Sequence, residues 1–382
     1  MFGASDGGKM ITFQNLSRLH ESIASELRDA FEKVLKTSAF IQGPFVTQFE
    51  KEFAAYTGAP FCLGVANGTD AIEIVLEASG VRAGDTVAVP SMTFAATAEA
   101  VVRCGATPLF VEVDPETLCM TAATLEAALK NSKQPIKAVM PVHLYGRACD
   151  MQSLSKVAAR HGALVIEDCA QAQGARHGGK HVGTFGAAGT FSFYPGKNLG
   201  ALGDAGAIIT TSPELYERMK MLRDHGRTQK YLHESIGRNS RLDGLQAAFL
   251  SVKLKHLENW TANRRALAQT YHDGLRGIEG VTPFASTAND SEHVYHLFVV
   301  RVTKRGRTRD ELATWLKEKG IETGVHYPLG VHMQPAFKSY AGSASFPVTE
   351  QAVKEILSLP MDPLMQPAEV ERVCAEIRHF YE

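Results

Sequence analysis

The chain has 382 residues, and no apolar run in it approaches the roughly 20 residues that a membrane-spanning helix needs. Met1 to Lys9 are mostly small and polar, without the apolar centre of a secretory signal. An excess of charge of one sign is missing as well. Lys and Arg number 40 against 41 Asp and Glu, and they are interspersed, so no footprint for nucleic acid or an anionic membrane forms. The six cysteines, Cys62, Cys104, Cys119, Cys149, Cys169 and Cys374, contain no Cys-x-x-Cys pair. That spacing argues against a zinc or disulfide framework and for reduced thiols. No Gly-x-Gly-x-x-Gly turn opens the first strand–helix unit, which leaves a dinucleotide oxidoreductase without its fingerprint. What remains is a cytoplasmic protein that works on small molecules, with no metal site, and long enough for two domains.

From about residue 60 to 210, strand-like and helix-like stretches alternate. Phe61–Val65, Thr86–Val89, Leu109–Val113, Ala138–Val142 and Ala163–Ile166 are short apolar runs bounded by turn residues, the pattern of strands buried on both faces. Such a series predicts a mostly parallel sheet covered by helices, with ligands at the carboxyl ends of its strands. Pro90, His143, Asp168 and the turn around Lys197 fall at those ends. After residue 240 one long helix is expected through Leu242, Leu245, Phe249 and Val252 toward Tyr271. Beyond it, Val294–Arg301 reads as a strand, Thr308-Arg-Asp-Glu311 as a capping box, and Pro367 as the start of a last helix. We expect an α/β chain with a large domain over 1–250 and a smaller α+β domain over 251–382.

Lys197 sits in the turn Gly189-Thr-Phe-Ser-Phe-Tyr-Pro-Gly-Lys-Asn-Leu-Gly200, and about thirty residues earlier a buried strand ends in Glu167-Asp168. An amine able to form a Schiff base and a carboxylate able to keep a ring nitrogen protonated are the two groups that pyridoxal 5'-phosphate (PLP) chemistry requires. Asn67-Gly-Thr-Asp70 lies between a strand and a helix, where free backbone N–H groups attract a phosphate. Each of these has a plainer reading when alone: a connector, a capping carboxylate, a solvated lysine.

Together, Gly64-Val-Ala-Asn-Gly-Thr69, Glu167-Asp-Cys-Ala-Gln-Ala172, Phe191 to Gly200, Arg238-Asn-Ser-Arg-Leu-Asp243 and His326-Tyr-Pro328 resemble the DegT/StrS-type nucleotide-sugar aminotransferases, from about residue 11 to the C-terminus. The resemblance implies a PLP-dependent enzyme of fold type I, the aspartate-aminotransferase-like fold, that passes through pyridoxamine phosphate. Lys197 would hold the cofactor and move the proton, and Asp168 would pair with the ring nitrogen. Gln171 would lie beside the ring, Phe94 would stack on it, and Gly68, Thr69 and Ser192 would hold its phosphate. Asn239 would reach the phosphate of a neighbouring subunit, which implies a homodimer. Tyr194, Lys230, His326 and Tyr327 resemble the contacts to the sugar nucleotide.

The implied reaction moves an amino group from L-glutamate, released as 2-oxoglutarate, to a keto sugar linked to a nucleotide. Gln171 in this motif resembles the enzymes that aminate C-3, which points to a dTDP-3-keto-6-deoxyhexose. Amination at C-4 and a UDP-linked sugar are the alternatives. A sugar dehydratase of this fold is disfavoured by Lys197, which those enzymes replace, typically by His. A non-catalytic regulator would have been free to lose Asp168, Lys197 or Asn239. Two residues depart from the family habit: Gln173 stands where His is frequent, and Ala205 where glycine is common.

Overall fold

A computed structural model describes residues 10–132, 134–284, 292–303 and 306–382. The segment Met1 to Lys9, read above for its lack of a signal, lies outside the described residues. Seven strands form the main sheet in the order Phe61–Val65, Gly206–Thr210, Ala188–Ser192, Leu164–Asp168, Ile136–Val139, Thr86–Pro90, Thr107–Val111. Only the pairings made by Gly206–Thr210 are antiparallel; the other four are parallel. This is the mostly parallel, helix-covered sheet of the fold type I expectation.

Helices bury both faces. On one side Gly68–Ala78 turns Ala71, Ile72, Ile74, Val75 and Leu76 inward, with Ala95–Arg103 beside it. On the other, Phe49 and Phe53 of helix Pro44–Thr57 meet Phe191 and Phe193 edge to face, the arrangement that aromatic quadrupoles favour. A second, three-stranded antiparallel sheet joins Val281–Pro283, Phe298–Val302 and Ile356–Leu359, and the predicted capping box at Thr308 and Glu311 opens helix Arg309–Glu318. No helix among the described residues is long and apolar enough to cross a membrane.

Several expected elements differ: the strands expected over Leu109–Val113 and Ala163–Ile166 are Thr107–Val111 and Leu164–Asp168, and three others change more. The single long helix is two, Gly244–Leu254 and Leu257–Leu275. The break falls where the packing partner changes: the first packs on Ala24–Thr37 and Pro44–Thr57, the second on the C-terminal helix Pro367–Tyr381. The strand expected over Ala138–Val142 is Ile136–Val139, ending just before Pro141, which has no N–H to give a ladder. The strand expected from Val294 begins only at Phe298, because Val294 and Leu297 donate their N–H groups to Gly146 and Tyr145 instead of to a neighbouring strand.

The apolar clusters also cross the expected boundary at 250. Ile11 joins the cluster of the second sheet, while Val331, Phe337 and Phe346 return to that of the first.

Candidate active site

The carboxyl ends of the parallel strands open into a cavity of about 770 Å³. Gly68, Thr69, Phe94, Asp168, Gln171, Ser192, Tyr194, Lys197, His326 and Tyr327 all line it. Lys230 and Asn239 do not. Both are exposed on the surface of the single chain, the Lys230 ammonium standing 5.2 Å above the Tyr231 ring.

Asp168 is the last residue of its strand and is buried. Burial pushes its carboxyl up, while the Ala170 N–H, the Thr97 hydroxyl, the Lys197 ammonium and His143 hold it down. Lys197 shows the complementary shift. Burial lowers its ammonium to about 8, with Asp168 opposing the fall. An amine in this state exists as free base at far lower pH than an exposed lysine, which is what attack on an aldehyde needs.

Around this pair the side chains are fixed. Gln171 Oε1 accepts from the Tyr145 N–H at 2.6 Å, and its Nε2 donates to the Tyr327 hydroxyl at 2.9 Å. The Tyr327 proton is therefore free for a further acceptor. Burial lowers His326 to about 4, so this ring is neutral. It bonds Ser358 Oγ through Nδ1 at 2.9 Å and stacks on Phe13 with centroids 5.5 Å apart. Phe94 is 57% exposed and Tyr194 60%. The Phe94 ring is thus accessible to a ligand.

The end of the cavity where the sequence leads us to expect a phosphate is built on backbone. Asn67 caps helix Gly68–Ala78, its side chain accepting from the Asp70 N–H at 2.8 Å. The N–H groups of Gly68 and Thr69 have no partner within the helix. A Cβ on Gly68 would stand 2.6 Å from Ser192 Cβ, so only glycine lets Ser192 approach the helix start this closely.

Sequence reasoning named several of the groups beneath but gave them no role. Glu167 is fully buried and accepts from the N–H groups of Gly183, Phe185 and Gly186 at 2.7 to 2.8 Å. The glycine-rich stretch Gly183–Gly186 is thereby a support for the sheet. His143 lies behind the cavity, its Nε2 3.2 Å from Glu167 and its Nδ1 accepting from the Cys149 N–H at 3.0 Å. Gln173 donates to the Ser192 carbonyl at 2.6 Å, so the unusual residue at that position braces the Ser192 end of the cavity. Arg223 is likewise structural, bonding Glu50 at 2.7 Å and the Gly64 carbonyl at 2.6 Å. Thr97, which donates to Asp168 at 2.8 Å, and Phe13 and Gln14, which line the cavity, were not foreseen. Their only signal is spatial.

A buried amine, a buried carboxylate and a glycine-lined helix start in one cavity are the donor set that PLP needs, and these residues fit it. The fold and the site together define a PLP-dependent enzyme of fold type I. Residues 21–378 match the DegT/DnrJ/EryC1/StrS aminotransferase family, and the chain belongs to it.

Among its curated relatives, the pleiotropic regulatory protein of Geobacillus stearothermophilus is 45% identical, the match covering 96% of this chain and 97% of that one. The dTDP-3-amino-3,4,6-trideoxy-alpha-D-glucose transaminase of Streptomyces venezuelae is 42% identical, covering 97% and 96%. Among solved structures, DesV of S. venezuelae superposes with a TM-score of 0.92 at 42% identity, covering 98% of this chain and 99% of that one.

Proposed function

We propose that the chain transfers the amino group of L-glutamate to C-3 of a dTDP-linked 3-keto-6-deoxyhexose, as a cytoplasmic homodimer. The observation that carries the reaction is Lys197 and Asp168 facing one cavity with opposed, burial-driven shifts. Support for the C-3 keto sugar comes from the S. venezuelae transaminase, whose name specifies a 3-amino sugar on dTDP. The G. stearothermophilus relative carries a regulator's name. A regulator has no need of an amine and a carboxylate held in this way, so we read this chain as a catalyst.

When bound, PLP supplies the carbon that carries the amino group and a ring that accepts electrons. The chain does the rest. Lys197 Nζ, whose ammonium burial brings down to about 8, takes in its free-base form the α-proton of the amino donor and later returns a proton to the sugar carbon. Asp168 keeps a negative charge against the ring nitrogen. Gln171 and Tyr327, locked to each other, set a hydroxyl at the cavity wall. Phe94 offers a ring face, and Gly68, Thr69 and Ser192 hold the phosphate.

Tyr194 and the neutral His326 offer hydrogen bonds to the sugar. Lys230 and Asn239, exposed on one chain together with Tyr231 (84%) and Ile236 (89%), serve the neighbouring subunit in a symmetric dimer.

The test is the visible absorbance of the PLP-loaded protein, first with L-glutamate alone, then with 3-keto and 4-keto dTDP-sugars offered separately. Loss of the visible band with glutamate and its return with the 3-keto sugar supports the proposal. A band that glutamate leaves unmoved overturns the donor, and return only with the 4-keto sugar overturns the position.

A further inference from the structure

Thr93 and Thr97 are absent from the roles above, yet both are buried and both lead to Asp168. Ala170 N–H donates to Asp168 Oδ1 at 3.1 Å, and the Thr97 hydroxyl donates to Oδ2 at 2.8 Å. A hydroxyl has one proton, and an ionised carboxylate only accepts. With the Thr97 proton committed to Asp168, the 2.9 Å contact between the two threonine hydroxyls is donated by Thr93. The row of donors therefore runs one way, Thr93 to Thr97 to Asp168. Thr97 also sits in the first turn of helix Ala95–Arg103, so the positive end of that helix lies beside the same carboxylate. A threonine in a helix commonly bonds back to its own backbone; here the hydroxyl reaches a strand end 71 residues away.

We infer that Thr97 is a positioning residue for the reaction: backed by Thr93, it orients Asp168 Oδ2 and keeps the carboxylate ionised, so that the cofactor ring meets a fixed acceptor. This rests on the PLP reading above. The other charged or titratable groups facing Asp168 are Lys197, His143, the Tyr327 phenol and the Cys169 thiol. Lys197 changes its bonding through the reaction, whereas the threonine hydroxyls donate throughout.

Thr97→Val keeps the volume and removes the donor. The expected result is an about tenfold fall in kcat with KM for both substrates within about twofold, as for loss of one hydrogen bond to a charged group. Without its donor the carboxyl ionises at higher pH, so the acid limb of the kcat profile moves upward. A readout independent of turnover is the affinity for pyridoxamine phosphate, which has no covalent link to Lys197. Isothermal titration should show it about tenfold weaker in Thr97→Val, restored in Thr97→Ser, and intermediate in Thr93→Val. Thr97→Ala removes the same donor with less bulk and gives the answer if the valine chain fails to fold. Wild-type affinity and kcat in the donor-less variants would overturn the inference alone. A wild-type chain that binds neither form of the cofactor would overturn the PLP reading, and the inference with it.

Discussion

The floor and the mouth of the cavity are built differently. On the floor, Asp168, Gln171, Glu167 and Thr97 are buried and each is tied by hydrogen bonds to a strand end, a turn or a helix start. At the mouth, Phe94 and Tyr194 are exposed, and the Tyr194 hydroxyl has no hydrogen bond among the described residues. Bond formation needs groups preorganised in a place that excludes water. Recognition of a sugar nucleotide needs groups that adapt and, on our reading, a second chain to complete them. The sheet fixes the reaction, while the rim leaves the choice of substrate open to change.

The sharpest way to break this contrast is at the floor. Lys197→Ala should lower kcat by about 10³-fold or more, since it removes both nucleophile and general base. Steady-state turnover with the 3-keto sugar measures it, and retention of more than a tenth of the activity would refute the assignment.

A second test concerns pH. Because burial brings Lys197 down to about 8, the free amine grows by about tenfold per pH unit below that value and levels off above it. The rate of PLP uptake by cofactor-free protein, followed by stopped-flow absorbance, should follow the same curve. A rate still climbing steeply at pH 10 would mean an ordinary lysine.

The surface outside the cavity gives the smaller effect. Asn239→Ala should weaken PLP binding about tenfold, and mixing its subunits with Lys197→Ala subunits should restore roughly a quarter of the sites, as random exchange in a twofold dimer dictates. If mixing restores nothing, Asn239 does not act across an interface.

The fold and the main site were readable because their signals are local. The strand Leu164–Asp168 announces itself by an apolar run ending in two carboxylates, and the Lys197 turn by its glycines. Asn67 is legible as a cap because it stands directly before its helix. Other features depend on chain segments that meet only after folding. Thr97 looks like an ordinary helix residue until the strand end bearing Asp168 is laid beside it. The break between Gly244–Leu254 and Leu257–Leu275 has no proline or glycine to announce it, since what changes there is the neighbour. His143 and Glu167 are likewise read as a pair only once the sheet has brought them together.

Gly68, pressed against Ser192, bears on how such a protein can be redesigned. A saturation library at that position should return glycine almost alone, because any larger residue drives Ser192 and its strand end away from the helix start. A library at Phe94, more than half exposed, has no such wall, and variants recovered there would differ in what they accept while keeping the same reaction.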